Sequence, residues 1–374
     1  MMRVQDYKAC RRVRSFLCFC LFTLFPLTGV AQDSVQAVQP EGKELGWLRR
    51  TIRGFSYIDT NYVEPQHYNW SAMVQGTYNY DYYRLSANDQ TVTFAPAPTF
   101  KFGPYFGWRW VFLGYTLDFK KVDVSESKQE LDFSFYAAQV GADLYYRRTG
   151  SDYKIRHVDL GKHVDTDELE NIPFDGLSVG ITGFNVYYIF NHQRFSYPAA
   201  FAQSTMQKIS CGSWMAGFGY MRNSLDFDHR KLGRVIQEHT RQDVELDSGL
   251  MFNSVKYYNL NVSAGYAYNW VFAKNFLFCS SLSLALAYKA SRGETADEDK
   301  SGFDIRNFNL DGIGRFALVY NNNRWYAGTS AIVRGYSYHK SRFAANNVFG
   351  SFSVYVGYNF GARGPYKKAK AKTP

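Results

Sequence analysis

From Tyr68 to Tyr82 the even positions read Tyr68, Trp70, Ala72, Val74, Gly76, Tyr78, Tyr80 and Tyr82, and the odd ones Asn69, Ser71, Met73, Gln75, Thr77, Asn79 and Asp81. A period of two puts the first set on one face of an extended strand and the second on the other. The run outlasts the five or so residues of an ordinary globular strand. The pattern returns at the far end of the chain, where Phe352, Val354, Val356, Tyr358 and Phe360 alternate with small or polar residues. Between them, Leu260, Val262, Ala264, Tyr266, Tyr268 and Trp270 alternate with Asn259, Asn261, Ser263, Gly265, Ala267 and Asn269. The connections are asymmetric: 272–275 and 321–323 are tight, whereas 289–303 and 222–250 are long and charged.

Long alternating strands, aromatic strand ends and short turns facing long loops predict an all-β chain, an antiparallel transmembrane β-barrel. Counting back from the last strand gives about twelve strands, at 68–85, 91–102, 105–120, 129–147, 153–160, 177–190, 207–222, 251–271, 275–290, 303–320, 324–339 and 347–360. The even count with both termini on one side depends on 153–160, the weakest of these, so ten or fourteen strands stay open. In 129–147 the apolar positions switch from odd to even near Ala137–Gln139, which predicts a β-bulge.

The N-terminus adds an address. Arg3, Lys8, Arg11, Arg12 and Arg14 precede the uncharged run Ser15–Leu27, which is too short to span a membrane as a helix. With Gly29 and Ala31 following, this reads as a secretory signal peptide cut after Ala31. The organisation expected is a signal at 1–31, a periplasmic segment or plug at 32–67, the barrel at 68–360 and a basic tail at 361–374. After the signal no apolar stretch of 18 residues remains, so a membrane span must be a closed barrel.

Aromatic residues make up 18% of the chain, which suits rings parked at a membrane boundary. The formal charge of +10 is mostly terminal. Residues 1–31 hold five of the 43 basic and one of the 33 acidic residues, leaving 38 against 32, and Arg363, Lys367, Lys368, Lys370 and Lys372 supply most of that remainder. A nearly neutral body gives no reason to expect nucleic acid as a partner. Cys211 and Cys279 remain after cleavage and are expected as free thiols, and no spacing suggests a metal or other cofactor.

The strings GPYFGWRWVFLGYT (103–116), FNVYYIFNHQRFSYPAAFAQST (184–205), DTNYVEPQHYNW (59–70) and NLNVSAGYAYNWVFAKNFLF (259–278) resemble an exported Bacteroidetes family known as domain of unknown function 4421. The resemblance covers most of the mature chain. It implies an outer-membrane barrel and carries over no functional residues.

A barrel of this size encloses a polar lumen, so charged residues within strands are the first candidates for function. Asp81, Arg84, Arg109, Asp143, Lys289, Asp311 and Arg315 are the leading ones, with Lys101, Arg147, Lys208, Lys256, Arg306, Arg334, Asp118 and Asp132 beside them. They would line a path for small anionic solutes or lock the barrel shut with salt bridges. The expected partners are outer-membrane lipid and small solutes, and the expected role is a pore, a receptor or a structural envelope protein. Two alternatives make distinct predictions. A lipid-modifying barrel esterase would need His192 within reach of a serine such as Ser196 or Ser204. A soluble secreted β-sandwich would turn its aromatics inward and its charges outward.

Overall fold

The computed structural model describes residues 58–367 apart from 97, 109–110, 115–116, 119–128, 150–151, 162–164, 241–244, 294–307, 341–342 and 365. The expected signal peptide and most of 32–67 lie outside these residues. Eighteen strands occur among those described: β1 (Val63–Pro65), β2 (Tyr68–Ala87), β3 (Gln90–Pro96), β4 (Thr99–Trp108), β5 (Val111–Gly114), β6 (Leu117–Asp118), β7 (Gln129–Tyr136), β8 (Val140–Arg148), β9 (Tyr153–Asp159), β10 (Pro173–Phe174), β11 (Leu177–Ile189), β12 (Thr205–Gln207), β13 (Cys211–Phe227), β14 (Ser254–Ala273), β15 (Phe276–Gly293), β16 (Phe308–Asn321), β17 (Trp325–Lys340) and β18 (Phe343–Ala362). Two α-helices among the described residues, α1 (Tyr197–Phe201) and α2 (His229–Thr240), sit in connections. No helix among the described residues is long and apolar enough to cross a membrane.

The wall is an antiparallel ladder in the order β4-β2-β18-β17-β16-β15-β14-β13-β11-β8-β7, with β5 and β6 on the outer edge of β4. The described residues carry no pairing that joins β5 or β6 to β7. The ladder is nevertheless rolled. Arg147 on β8 meets Asp81 on β2 at 2.7 Å, although the two strands stand eight places apart in the order. Laid flat, eight strand spacings of about 4.8 Å would separate them by roughly 38 Å.

The strand assignments from sequence are corrected in three places. Segment 129–147 is the hairpin β7–β8, with Tyr136 opposite Gly141, not one bulged strand. Paired positions there sum to an odd number, so outward residues change from odd (Leu131, Phe133) to even (Leu144, Tyr146), which is the phase switch seen in the sequence. Segment 153–160 does not enter the wall. As β9 it pairs with β3 and β10, forming a sheet that branches from the upper half of β2. The spans 91–102 and 105–120 become β3, β4 and the short β5 and β6. Pro96 and Pro98 flank the break between β3 and β4, where a missing N–H and a fixed φ interrupt a ladder.

Polarity is inverted relative to a soluble sandwich. Val262 is 66% exposed and Leu310 63%, while Arg315 and Lys289 are each 1% exposed. The outward face of β14 reads Tyr258, Leu260, Val262, Tyr266, Tyr268 and Trp270, and its inward face includes Asn259, Asn261, Ser263 and Asn269, all buried. The two faces of the period-two pattern are thus an apolar outside and an amide- and charge-bearing inside, as a lipid-facing barrel requires. That arrangement overturns the sandwich alternative.

One end of the barrel carries the tight turns at 273–276 and 321–325, the start of β2 and the finish of β18. The other carries the long connections. There α2, expected from sequence only as charged loop, packs Leu232 and Ile236 with Val92, Phe94, Ile155, Phe174, Phe227 and Phe252. This cap has an ordinary apolar core, held by the hydrophobic effect outside the wall's lipid-facing band.

Candidate functional site

The lumen is the site, and it is filled in layers. At the tight-turn end the connection 190–210 folds inward. Its helix α1 starts with Ser196, whose Oγ accepts from Ala199 N, and with Pro198 in the first turn, where a missing N–H costs nothing. The segment touches inward residues from around the wall. Tyr197 donates from its hydroxyl to Ser281 Oγ at 2.8 Å, Asn269 Nδ2 donates to Ser196 O at 2.8 Å, and Gln203 Nε2 donates to Tyr355 Oη at 2.7 Å. Ala199 and Ala200 pack on Leu277, Cys279, Ala317 and Val319, while the Tyr197 ring lies near Tyr136, Tyr187 and Phe201. Strand β12, at the end of this plug, pairs with β1, so the chain before the barrel also braces it.

Charges fill the middle. Asp143 accepts from Ser134 Oγ at 2.6 Å and from Arg315 Nη2 at 2.5 Å, and Arg334 stands 4.0 Å away. Asp311 accepts from Lys289 Nζ at 2.7 Å, Asn259 Nδ2 at 2.7 Å and Ser337 N at 3.2 Å, and Lys289 also donates to Ser337 O. Asp81 accepts from Arg147. The guanidinium carbons of Arg147 and Arg334 lie 4.6 and 5.8 Å from the Phe349 ring centre, and that of Arg315 lies 5.1 Å from the Tyr187 ring centre. A weakly hydrated guanidinium over an aromatic face tolerates such burial better than an ammonium would. Beside Asp311 is a cavity of about 10 Å³ lined by Asn185, Asn261, Ser263 and Ser283. That is space for about one water.

Of the leading sequence candidates, Asp81, Asp143, Lys289, Asp311 and Arg315 lie together in this network. Arg84 does not. It is exposed on the outer face, because it stands three residues from inward-facing Asp81 and an odd separation along a strand reverses the face. Arg109 lies outside the described residues, as does Arg306. Lys208 and Lys256 are exposed, whereas Arg147 and Arg334 are buried in the network. Sequence reasoning missed the plug residues Tyr197, Gln203 and Gln207 and the amides Asn259 and Asn269. The amides were legible as the polar half of the β14 alternation. The plug had no such signal, since its residues follow no period of two.

No serine among the described residues hydrogen-bonds to His192, whose Nε2 lies 3.5 Å from Gln139 Nε2. Ser196 caps α1 and contacts Thr205 Oγ1 at 2.6 Å. A serine–histidine contact occurs at Ser337 and His339, 3.1 Å apart two residues along one exposed strand end. Cys211 and Cys279 are free thiols.

No curated protein matches the chain. Among solved structures it is similar to the outer membrane protease OmpT of Escherichia coli, at 9% identity over 81% of this chain and 100% of that one, with a TM-score of 0.33. It is similar to the outer membrane protein OprG of Pseudomonas aeruginosa at 10% identity, over 80% and 99% of the two chains, with a TM-score of 0.22. The translocator domain of the autotransporter NalP of Neisseria meningitidis matches at 9% identity, over 78% and 89%, with a TM-score of 0.27. Residues 57–360 match the model of a domain of unknown function, DUF4421, and the chain belongs to that family.

Proposed function

We propose that the chain is an outer-membrane barrel with a closed lumen, a structural or receptor element of the envelope and not a standing pore. The observation that carries this reading is the plugged lumen, with residues 196–203 seated on inward residues of β14, β15, β16 and β18 beneath a buried ionic network. The apolar outward face favours insertion in a bilayer. The exposed tryptophans favour its placement, since Trp70, Trp108, Trp270 and Trp325 lie near the tight-turn end and exposed Tyr78, Tyr82 and Tyr258 toward the other. Such belts mark the two interfaces of a membrane. In this reading residues 1–31 are a cleaved export signal, and the folded cap of β3, β9, β10 and α2 is presented on the cell surface.

The test is conductance in planar bilayers alongside heat-modifiable gel mobility. The purified chain is expected to migrate as a folded barrel and to stay electrically silent. Deleting residues 194–206 is expected to produce conducting events. Steady conductance of the intact chain would overturn the closed reading.

A further inference from the structure

Four strands carry the same outward pair. Each places a tyrosine at the cap-side edge of the apolar band and a basic residue two positions beyond it: Tyr82 and Arg84 on β2, Tyr146 and Arg148 on β8, Tyr220 and Arg222 on β13, Tyr258 and Lys256 on β14. All four cations are exposed, and none has a carboxylate partner among the described residues. On β13 and β14 they converge. Arg222 is opposite Tyr258 and Ser224 is opposite Lys256, so Arg222 and Lys256 are diagonal neighbours, roughly 7–8 Å apart at their backbones. The Arg222 guanidinium lies 5.8 Å from the Tyr258 ring centre, which orients it along the wall. The sequence sets Arg292 at the ladder position directly opposite Lys256. Arg148 flanks the patch across Gly180 and Ser224, two small residues that leave the surface between the cations low. The nearest carboxylate on the outer face of β13, Asp226, accepts from Ser254 Oγ at 2.8 Å.

Cations placed side by side in adjacent strands repel, and an anion between them relieves that cost. We infer that Arg222 and Lys256, with Ser224 between them, bind the headgroup phosphate of an anionic lipid in the outer leaflet. Position selects a lipid over a free ion: the patch begins one outward residue beyond the aromatic edge, at headgroup depth, with Leu260, Val262, Phe218 and Leu286 below it to receive acyl chains. The inference rests on the bilayer-spanning reading above.

Native mass spectrometry tests it on the full chain in neutral detergent, offered equimolar phosphatidylglycerol and phosphatidylcholine with identical acyl chains. Two cations at the strength basic residues show toward anionic lipid predict about thirty-fold preferential retention of phosphatidylglycerol. The double variant R222Q/K256Q is expected to lose that preference, R222K/K256R to keep most of it, and K274Q, at the opposite end, to behave as the unaltered chain. Equal retention of the two lipids by the unaltered chain, or an undiminished preference in R222Q/K256Q, would overturn the inference. Displacement of the lipid by millimolar inorganic phosphate would assign the patch to a free anion and overturn it as well. Loss of heat-modifiable mobility in the unaltered chain would instead count against the barrel reading itself.

Discussion

Asp143 is the hinge of the lumen's electrostatics, and replacing it should cost more than replacing its own ion-pair partner. The described network buries four cations, Arg147, Lys289, Arg315 and Arg334, against three carboxylates, Asp81, Asp143 and Asp311. Asp143 serves two of the cations, Arg315 at 2.5 Å and Arg334 at 4.0 Å. In Asp143→Leu both guanidiniums stay in place, 1% and 4% exposed, with no carboxylate beside them. In Arg315→Met, Asp143 keeps its bond from Ser134 and retains Arg334 nearby. Breaking a buried pair from one side costs about 3–5 kcal/mol, so the leucine variant belongs at the upper end and the methionine variant at or below the lower. The gap of about 2 kcal/mol is close to thirty-fold in the folding equilibrium. The double variant should be less damaging than the sum of the two, because the sites share a contact. Urea unfolding in lipid bilayers, read by heat-modifiable mobility, measures all three. A methionine variant as unstable as the leucine variant would refute the shared-carboxylate argument, and losses of a few tenths of a kcal/mol in both would show that water screens the pair.

Three further perturbations separate the other layers. Tyr197→Ala removes a fully buried plug ring and its bond to Ser281, and should destabilise the barrel by about 3–5 kcal/mol and raise bilayer conductance; an equally stable, silent variant would show that the plug does not seal. Gly141 lies under its cross-strand partner Tyr187, and a Cβ there would come within 2.1 Å of the ring, so Gly141→Ala should cost about 1–3 kcal/mol in the same urea assay; a neutral result would mean that the ring swings away freely. At the tight-turn end His67 stacks on Tyr366 and contacts Glu64 at 2.9 Å, and burial, aided by the nearby Arg363, holds its pKa below the ordinary 6.5 despite Glu64. The folded chain therefore resists a proton that the unfolded chain accepts, so stability should fall as the pH drops from 7 through 6.5 and below, and change little above. An NMR titration midpoint for His67 above 6.5 would show that Glu64 outweighs burial.

Much of the wall was legible because a lipid-facing barrel writes its geometry at period two. The alternations at 68–82 and 259–270 located β2 and β14 and told their faces apart, and with them the inward amides. Legibility failed where local pattern and tertiary destination diverge. Segment 153–160, the weakest of the expected wall strands, breaks the period of two between Ile155 and Val158, and its buried Tyr153, Ile155 and Val158 face the cap's core. The odd-to-even switch near Ala137 was a true signal read as a bulge, and the pairing of Tyr136 with Gly141 makes it a turn instead. For the charges, residue type found the network and strand parity decided membership, which is why Arg84 separates from Asp81. The plug was hidden for a different reason: contacts such as Gln203 with Tyr355 span 152 residues and leave no local trace.

The plug also constrains the order in which the molecule can be assembled. Residues 194–206 leave the wall after β11, yet rest on Leu277, Cys279, Ala317 and Tyr355, which belong to strands made later in the chain. Once β18 has paired with β2, joining the first and last long strands, a bundle of aromatic and amide side chains would have to enter a wall already assembled on both sides of it. The simpler history is that the growing curved sheet wraps around the plug as a template, and the meeting of the first and last long strands comes last, locking its own core in place.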